Sequence, residues 1–168
     1  TATNISGEEG GAEIARTLTL IDGGVQNVKS FSDEIVNLGN NFAATEKEIL
    51  SNAESIAQNV GIYKIGRQDV LAYATATKSV GIEAELVGST FNRTLAIFER
   101  SIRTGNGVKS ILDLIGGSQA QLSKRFKTDA SGVFMDFIWA LNRIYKSGGS
   151  VNEQLEKVGV NAVRDQRV

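Results

Sequence analysis

Apolar residues along the chain return at intervals of three and four, the period of a helix with one buried face. Ile14, Leu18 and Ile21 mark a first helix over 8–21, with Glu8 and Glu9 near its positive N-terminal end. Val28, Phe31, Ile35 and Leu38 mark a second, and Gly39 reads as its stop. A third, over 45–60, carries Ile49, Ala53, Ile56 and Val60. Thr45 with Glu48 forms its capping box: the hydroxyl takes one free N–H and the carboxylate reaches back for another. The connector 61–66 leads to a fourth helix over 67–80, with Val70, Leu71, Ala74 and Thr77. The fifth, over 82–103, is the longest; Leu86, Val87, Phe91, Leu95, Phe98 and Ile102 share one face.

Shorter segments follow. Ile111, Leu112 and Ile115 form one that ends at Gly116-Gly117, and Ser118 caps another that reaches about Phe126. Asp129 caps a strong helix to 146, whose stripe is Val133, Phe134, Phe137, Ile138, Leu141, Ile144 and Tyr145. Ser150 and Glu153 spell a last capping box, with Leu155 and Val158 behind it. No period-2 alternation bounded by hairpin turns occurs anywhere. The expectation is an all-α, compact multi-helix bundle of about nine helices, several short, with no sheet. It comprises a frayed segment 1–7 and a single domain over 8–168. Short joins between helices favour antiparallel or steeply crossed neighbours. No heptad is sustained long enough for a long coiled coil.

Composition narrows the function classes. The chain of 168 residues has no cysteine and no histidine. Disulfides, thiolate nucleophiles, serine–histidine relays and histidine metal sites are therefore excluded. A carboxylate-only enzyme is what remains of that class, and the reading is that the chain is not an enzyme and takes no cofactor or metal. Net charge is −1, from 18 basic and 19 acidic residues, so there is no basic excess to track a nucleic-acid backbone. No run of 18 apolar residues exists to span a membrane, and Thr1-Ala2-Thr3-Asn4 does not open a secretory signal. The first residue is not Met, which is expected of an excised or processed chain. Proline is absent where average usage predicts roughly eight, and glycine reaches 18. Helices with glycine joints fit that balance, as does a segment that must be helical in more than one arrangement.

Candidate motifs resolve mostly into geometry. Gly105-Asn106-Gly107 has no strand before it and no Lys-Ser/Thr pair after it, so it reads as a helix–helix turn. Glu46, Glu48 and Glu54 lie on or near one exposed helix surface, and Glu83 and Glu85 fall within reach of a local pairing with Arg93. Trp139 is offset from the stripe of its helix, which makes it the aromatic expected to face solvent. The most specific stretch is SVGIEAELVGSTFNR, 79–93. Gly81 closes one helix and Ile82 clips in behind it. The next helix carries Gly88-Ser89-Thr90 at its middle, where small residues admit a close helix backbone. Gly88 costs about 1 kcal/mol in propensity, which close packing can offset.

Five segments occur in a fixed order: NNFAATEKEIL at 40–50, GIEAELVGSTFNR at 81–93, GGSQAQLSKRF at 116–126, the aromatic helix at 133–145, and LEKVGVNAVRDQR at 155–167. Together they resemble the core region of phage tail tape measure proteins of the TP901-1 type. The family pattern often has Gly-Gly-Thr-Ala where this chain has Gly88-Ser89-Thr90-Phe91. The resemblance implies a structural virion protein that scaffolds tail tube assembly, sets tail length and occupies the tube lumen until genome ejection. The source can be a free phage, a prophage or a tailocin. Implied partners are further copies of itself, the tail tube protein, tail assembly chaperones and distal tail or baseplate proteins, with no sequence-specific nucleic acid. The implied places are the virion tail lumen and, during assembly, the host cytoplasm. It also implies structural-motif roles for Asn41, Ala44, Thr45, Glu48, Gly81, Ile82, Glu85, Gly88, Arg93, Gly116, Phe126 and Arg164. On this resemblance the 40–45 turn is a family-wide helix–helix corner, and the chain is an internal part of a longer protein. The alternative is a helical interaction or assembly-chaperone module unconnected with tails.

Overall fold

The computed structural model describes residues 7–22, 24 and 26–160. They form nine α-helices, with no strand among the described residues: α1 (Gly7–Asp22), α2 (Val28–Asn41), α3 (Glu46–Val60), α4 (Arg67–Ser79), α5 (Ala84–Thr104), α6 (Val108–Ile115), α7 (Gln119–Thr128), α8 (Ala130–Lys146) and α9 (Val151–Val158). A single 3₁₀ turn, Gly61–Tyr63, follows α3. The all-α expectation holds, and helix limits fall within a few residues of those the periodicity sets. The described residues divide into two compact units, one ending at Phe91 and one beginning at Asn92, inside α5.

The first unit is organised around α3, which packs against α4, α1 and α2. Its apolar face, Ile49, Leu50, Ala53 and Ile56, is fully buried, as are Leu18 of α1 and Phe31 and Ile35 of α2. Polar bonds join the same helices. Asn52, 1% exposed, donates from Nδ2 to the Ala74 carbonyl at 3.3 Å and to Thr77 Oγ1 at 3.2 Å. Arg67 of α4 pairs with Glu34 of α2 at 3.0 Å. The second unit is organised around α8, which packs against α6, α7 and α9. Its core includes an aromatic cluster: the ring centroid of Phe98 lies 5.0 Å from that of Phe137 and 6.5 Å from that of Phe126, both edge-on. Such pairs add about 0.5–1.5 kcal/mol beyond the area they bury.

Helix ends follow the caps written in the sequence, with two corrections. The Thr45–Glu48 box is complete: Thr45 Oγ1 accepts from the Glu48 N–H at 3.3 Å, and the Thr45 N–H donates to Glu48 Oε2 at 2.9 Å. Gly81, at φ +80°, closes α4. Its N–H donates to the Lys78 carbonyl at 2.8 Å and that of Ile82 to Thr77 at 3.0 Å, a Schellman closure that requires the left-handed backbone glycine supplies. Gly39, by contrast, does not stop α2, which continues to Asn41. A Cβ at Gly39 would come 2.8 Å from Cγ of Glu46 and 3.2 Å from its backbone nitrogen, so this glycine makes room for the start of α3. Asn41 ends the helix, donating from Nδ2 to the Asn37 carbonyl at 2.7 Å. The second correction is the Ser150–Glu153 box, which is half made. Ser150 Oγ accepts from the Glu153 N–H at 3.2 Å, but the Glu153 carboxylate turns to Lys157 at 2.7 Å, one helical turn on.

Candidate functional site: the outer face of α8

Asp129 starts α8 by accepting from the Gly132 N–H at 2.8 Å. Arg125, in the last turn of α7, pairs with both Asp129 and Asp136. The inward face, Val133, Phe134, Phe137, Ala140 and Leu141, is buried. The opposite side is mixed, with Asp136, Asn142, Arg143 and Lys146 among apolar residues. Met135 and Ile138 are half-buried there, while Trp139 is 55% and Tyr145 72% exposed. Large apolar groups clustered on a surface mark an interaction site more often than a solvated face. The exposure of Trp139 matches its offset from the stripe. Tyr145 corrects that stripe: it sits in the last turn, where every residue from 145 to 150 is exposed, because the helix outruns the core it covers. The sequence signal of this second face is Met135 and Trp139, four residues apart and off the buried stripe.

The other residues singled out from the sequence are scattered through the fold. Gly88 is buried at a crossing of α5 with α3. A Cβ there would lie 2.5 Å from Ser55 Oγ and 2.7 Å from Asn59 Nδ2, and closer still to the Ser55 carbonyl oxygen. That serine hydroxyl donates to the Ala84 carbonyl at 2.5 Å, which fixes the start of α5 on α3. Thr90 is buried and Ser89 exposed, its hydroxyl donating back to the Glu85 carbonyl. Phe91 is buried with its ring centroid 4.9 Å from that of Tyr73. Ala44 is buried in the α2–α3 corner, Ile82 is half-buried behind Gly81, and Glu85 and Arg93 are exposed on α5. Gly116, at φ +80°, closes α6. Phe126 is buried against Phe98. Arg164 lies outside the described residues.

Several carboxylates are engaged in pairing and capping. Glu48 is held below the usual glutamate range, first by the Thr45 N–H, then by the Thr45 hydroxyl and Lys78. Lys78 also reaches Glu83 at 3.4 Å, a pairing across the Gly81 turn that sequence spacing did not single out. Glu13 is pushed up, mainly by burial and then by the charge of Glu54. Glu54 accepts from Arg16 Nε at 3.3 Å and from Gln58 Nε2 at 3.2 Å. It lines a groove of about 430 Å³ between α1 and α3 with Ala15, Arg16, Thr19 and Leu20. The groove is open, whereas an acid–base carboxylate pair works in a desolvated cleft. Among the described residues no cluster of acidic side chains has the geometry to hold a metal ion, and no helix is long and apolar enough to cross a membrane. No protein family, no curated protein and no solved structure matches the chain.

Proposed function

We propose that this chain is a core segment of a phage tail tape measure protein. It serves as a structural component of the virion that scaffolds tube polymerisation and sets tail length. The observation that carries the reading is the ordered set of five segments. Several of their residues have structural work in the fold: the Thr45–Glu48 cap, the Gly81 closure and the close crossing at Gly88. On this reading the chain performs no reaction and takes no cofactor. It acts in the tail lumen after assembly in the host cytoplasm, with the tube protein, assembly chaperones and distal tail proteins as partners. The exposed face of α8 supports a second reading, a helical interaction or chaperone module that never enters a virion.

Length arithmetic separates the two. A helix rises about 1.5 Å per residue, so 168 residues in continuous helix span roughly 250 Å. No proline blocks such an extension anywhere in the chain. Duplicating this segment in frame in the source genome is expected to lengthen the tails by up to that amount, measured by electron microscopy of negatively stained particles. Tails of unchanged length, or purified tails lacking this chain by mass spectrometry, sink the tape measure reading and leave the interaction module.

A further inference from the structure

The outer face of α8 has a heptad-like layout two repeats long. Met135, Trp139, Asn142 and Lys146 follow one another at four, three and four residues and form a seam. Ile138 and Tyr145 flank the seam on one side, Asp136 and Arg143 on the other, each pair seven residues apart. We propose that this face pairs with the same face of a second copy, the two α8 helices running antiparallel about a two-fold axis.

The charges choose this occupant and this direction. In an antiparallel pair, like flanks meet. Asp136 then faces Arg143 of the second copy, Ile138 faces Tyr145, and Lys146 lies over Met135, every contact being made twice. A parallel pair stacks Lys146 on its own copy and sets Ile138 against Arg143. Asp136 already accepts from Arg125, but a carboxylate has about four acceptor positions and retains capacity for a second guanidinium. Arg143 makes one long bond, to the Leu114 carbonyl at 3.4 Å, and keeps its remaining donors. A seam of two repeats gives an association that dissociates on dilution. The proposal does not rest on the tail reading, and its test uses the isolated chain.

Trp139 is the sole tryptophan, so fluorescence reports this face directly. On dilution from about 200 μM to about 1 μM, a range that spans weak association, the mass by sedimentation is expected to fall from twice 18.0 kDa to 18.0 kDa. Trp139 emission is expected to shift red in step. Trp139→Glu is expected to be monomeric throughout, with an unchanged circular dichroism spectrum. The direction is tested by two charge variants. Arg143→Asp and Asp136→Arg each repel their own copies, and each alone is expected to associate at least tenfold more weakly. Mixed, they are complementary at both contacts and are expected to form the heterodimer. A chain that is monomeric at every concentration overturns the proposal. So does a dimer indifferent to Trp139→Glu, or a mixture of the charge variants that stays monomeric. Trp139 emission that moves only on addition of anionic phospholipid vesicles also overturns it, assigning the face to a membrane surface.

Discussion

The two units solve helix packing by opposite means. In the first, α5 approaches α3 where Gly88 presents nothing, and Ser55 and Asn52 turn polar groups inward to join helices. In the second, large rings fill the space, Phe98, Phe126, Phe134 and Phe137 all being buried around α8. Close backbone approach satisfies polar groups and tolerates no added volume. Aromatic packing tolerates no lost volume. Substitutions should therefore hurt in opposite directions at these two places: adding atoms at the Gly88 crossing, removing them at the phenylalanine cluster.

The largest expected effect is in the aromatic unit. Phe137 is 1% exposed, and Phe137→Ala removes a ring that nothing adjacent can replace. Such truncations cost about 3–5 kcal/mol, which for a chain of this size lowers the melting temperature on the order of 10 °C. Phe137→Leu is expected to cost less than half as much. A thermal melt in which the alanine variant loses only a degree or two means that the ring is not the keystone of this unit.

Next comes the added-volume test. Gly88→Leu is expected to cost about 1–3 kcal/mol or more, because the obstructing group is the Ser55 carbonyl, which cannot rotate away. Gly88→Ala gains up to about 1 kcal/mol of helix propensity yet is still expected to be destabilising. Gly11 supplies the control. It lies in α1, is exposed, and a Cβ there meets nothing within 4 Å. Gly11→Ala is expected to stabilise by about 0.5–1 kcal/mol. If both alanine variants shift the melt in the same direction, the contrast between crowded and open glycines fails.

How far these contrasts could be read from the sequence depends on the range of the interaction. Caps and closures act over three to five residues, so Thr45–Glu48, Gly81–Ile82 and Asp129 are written locally and appear where expected. Gly88 was legible for a different reason: a glycine inside a long apolar helix has a propensity cost that only close packing explains. Gly39 misled because its role depends on Glu46, a partner across a turn, and not on its own helix. Glu153 misled because two partners compete for one carboxylate and Lys157, a turn away, wins it. The division inside α5 leaves no mark in composition, since the apolar face runs from Leu86 through Phe98 without a break. The second face of α8 was half legible: Trp139 stood out by its offset, but Tyr145 was absorbed into the stripe because periodicity does not show where a core ends.

The smallest effect sharpens the account of the polar-jointed unit at the corner between α2 and α3. Thr45→Ala removes the hydroxyl that accepts from the Glu48 N–H, a change worth about 1 kcal/mol at an N-cap. The same corner carries a pH signature. Bonds from the Thr45 N–H and hydroxyl favour the ionised carboxylate, so the Glu48 pKa is lowered on folding. A group with a depressed folded-state pKa contributes its stability above its unfolded value. That contribution disappears as pH falls through the folded-state value. The cap is thus expected to be intact at neutral pH and to weaken on acidification below the ordinary glutamate range, where the protonated side chain gives up its charge-assisted bonds. Carboxyl-carbon NMR titration reads this directly: Glu48 should titrate below an exposed glutamate without such bonds, and in Thr45→Ala it should move back up while keeping the part of the shift that the Thr45 N–H and Lys78 supply. A Glu48 that titrates identically in both chains means that the hydroxyl does not lower its pKa, and one that titrates normally in the parent chain means that the bonds of the box to its carboxylate are not made.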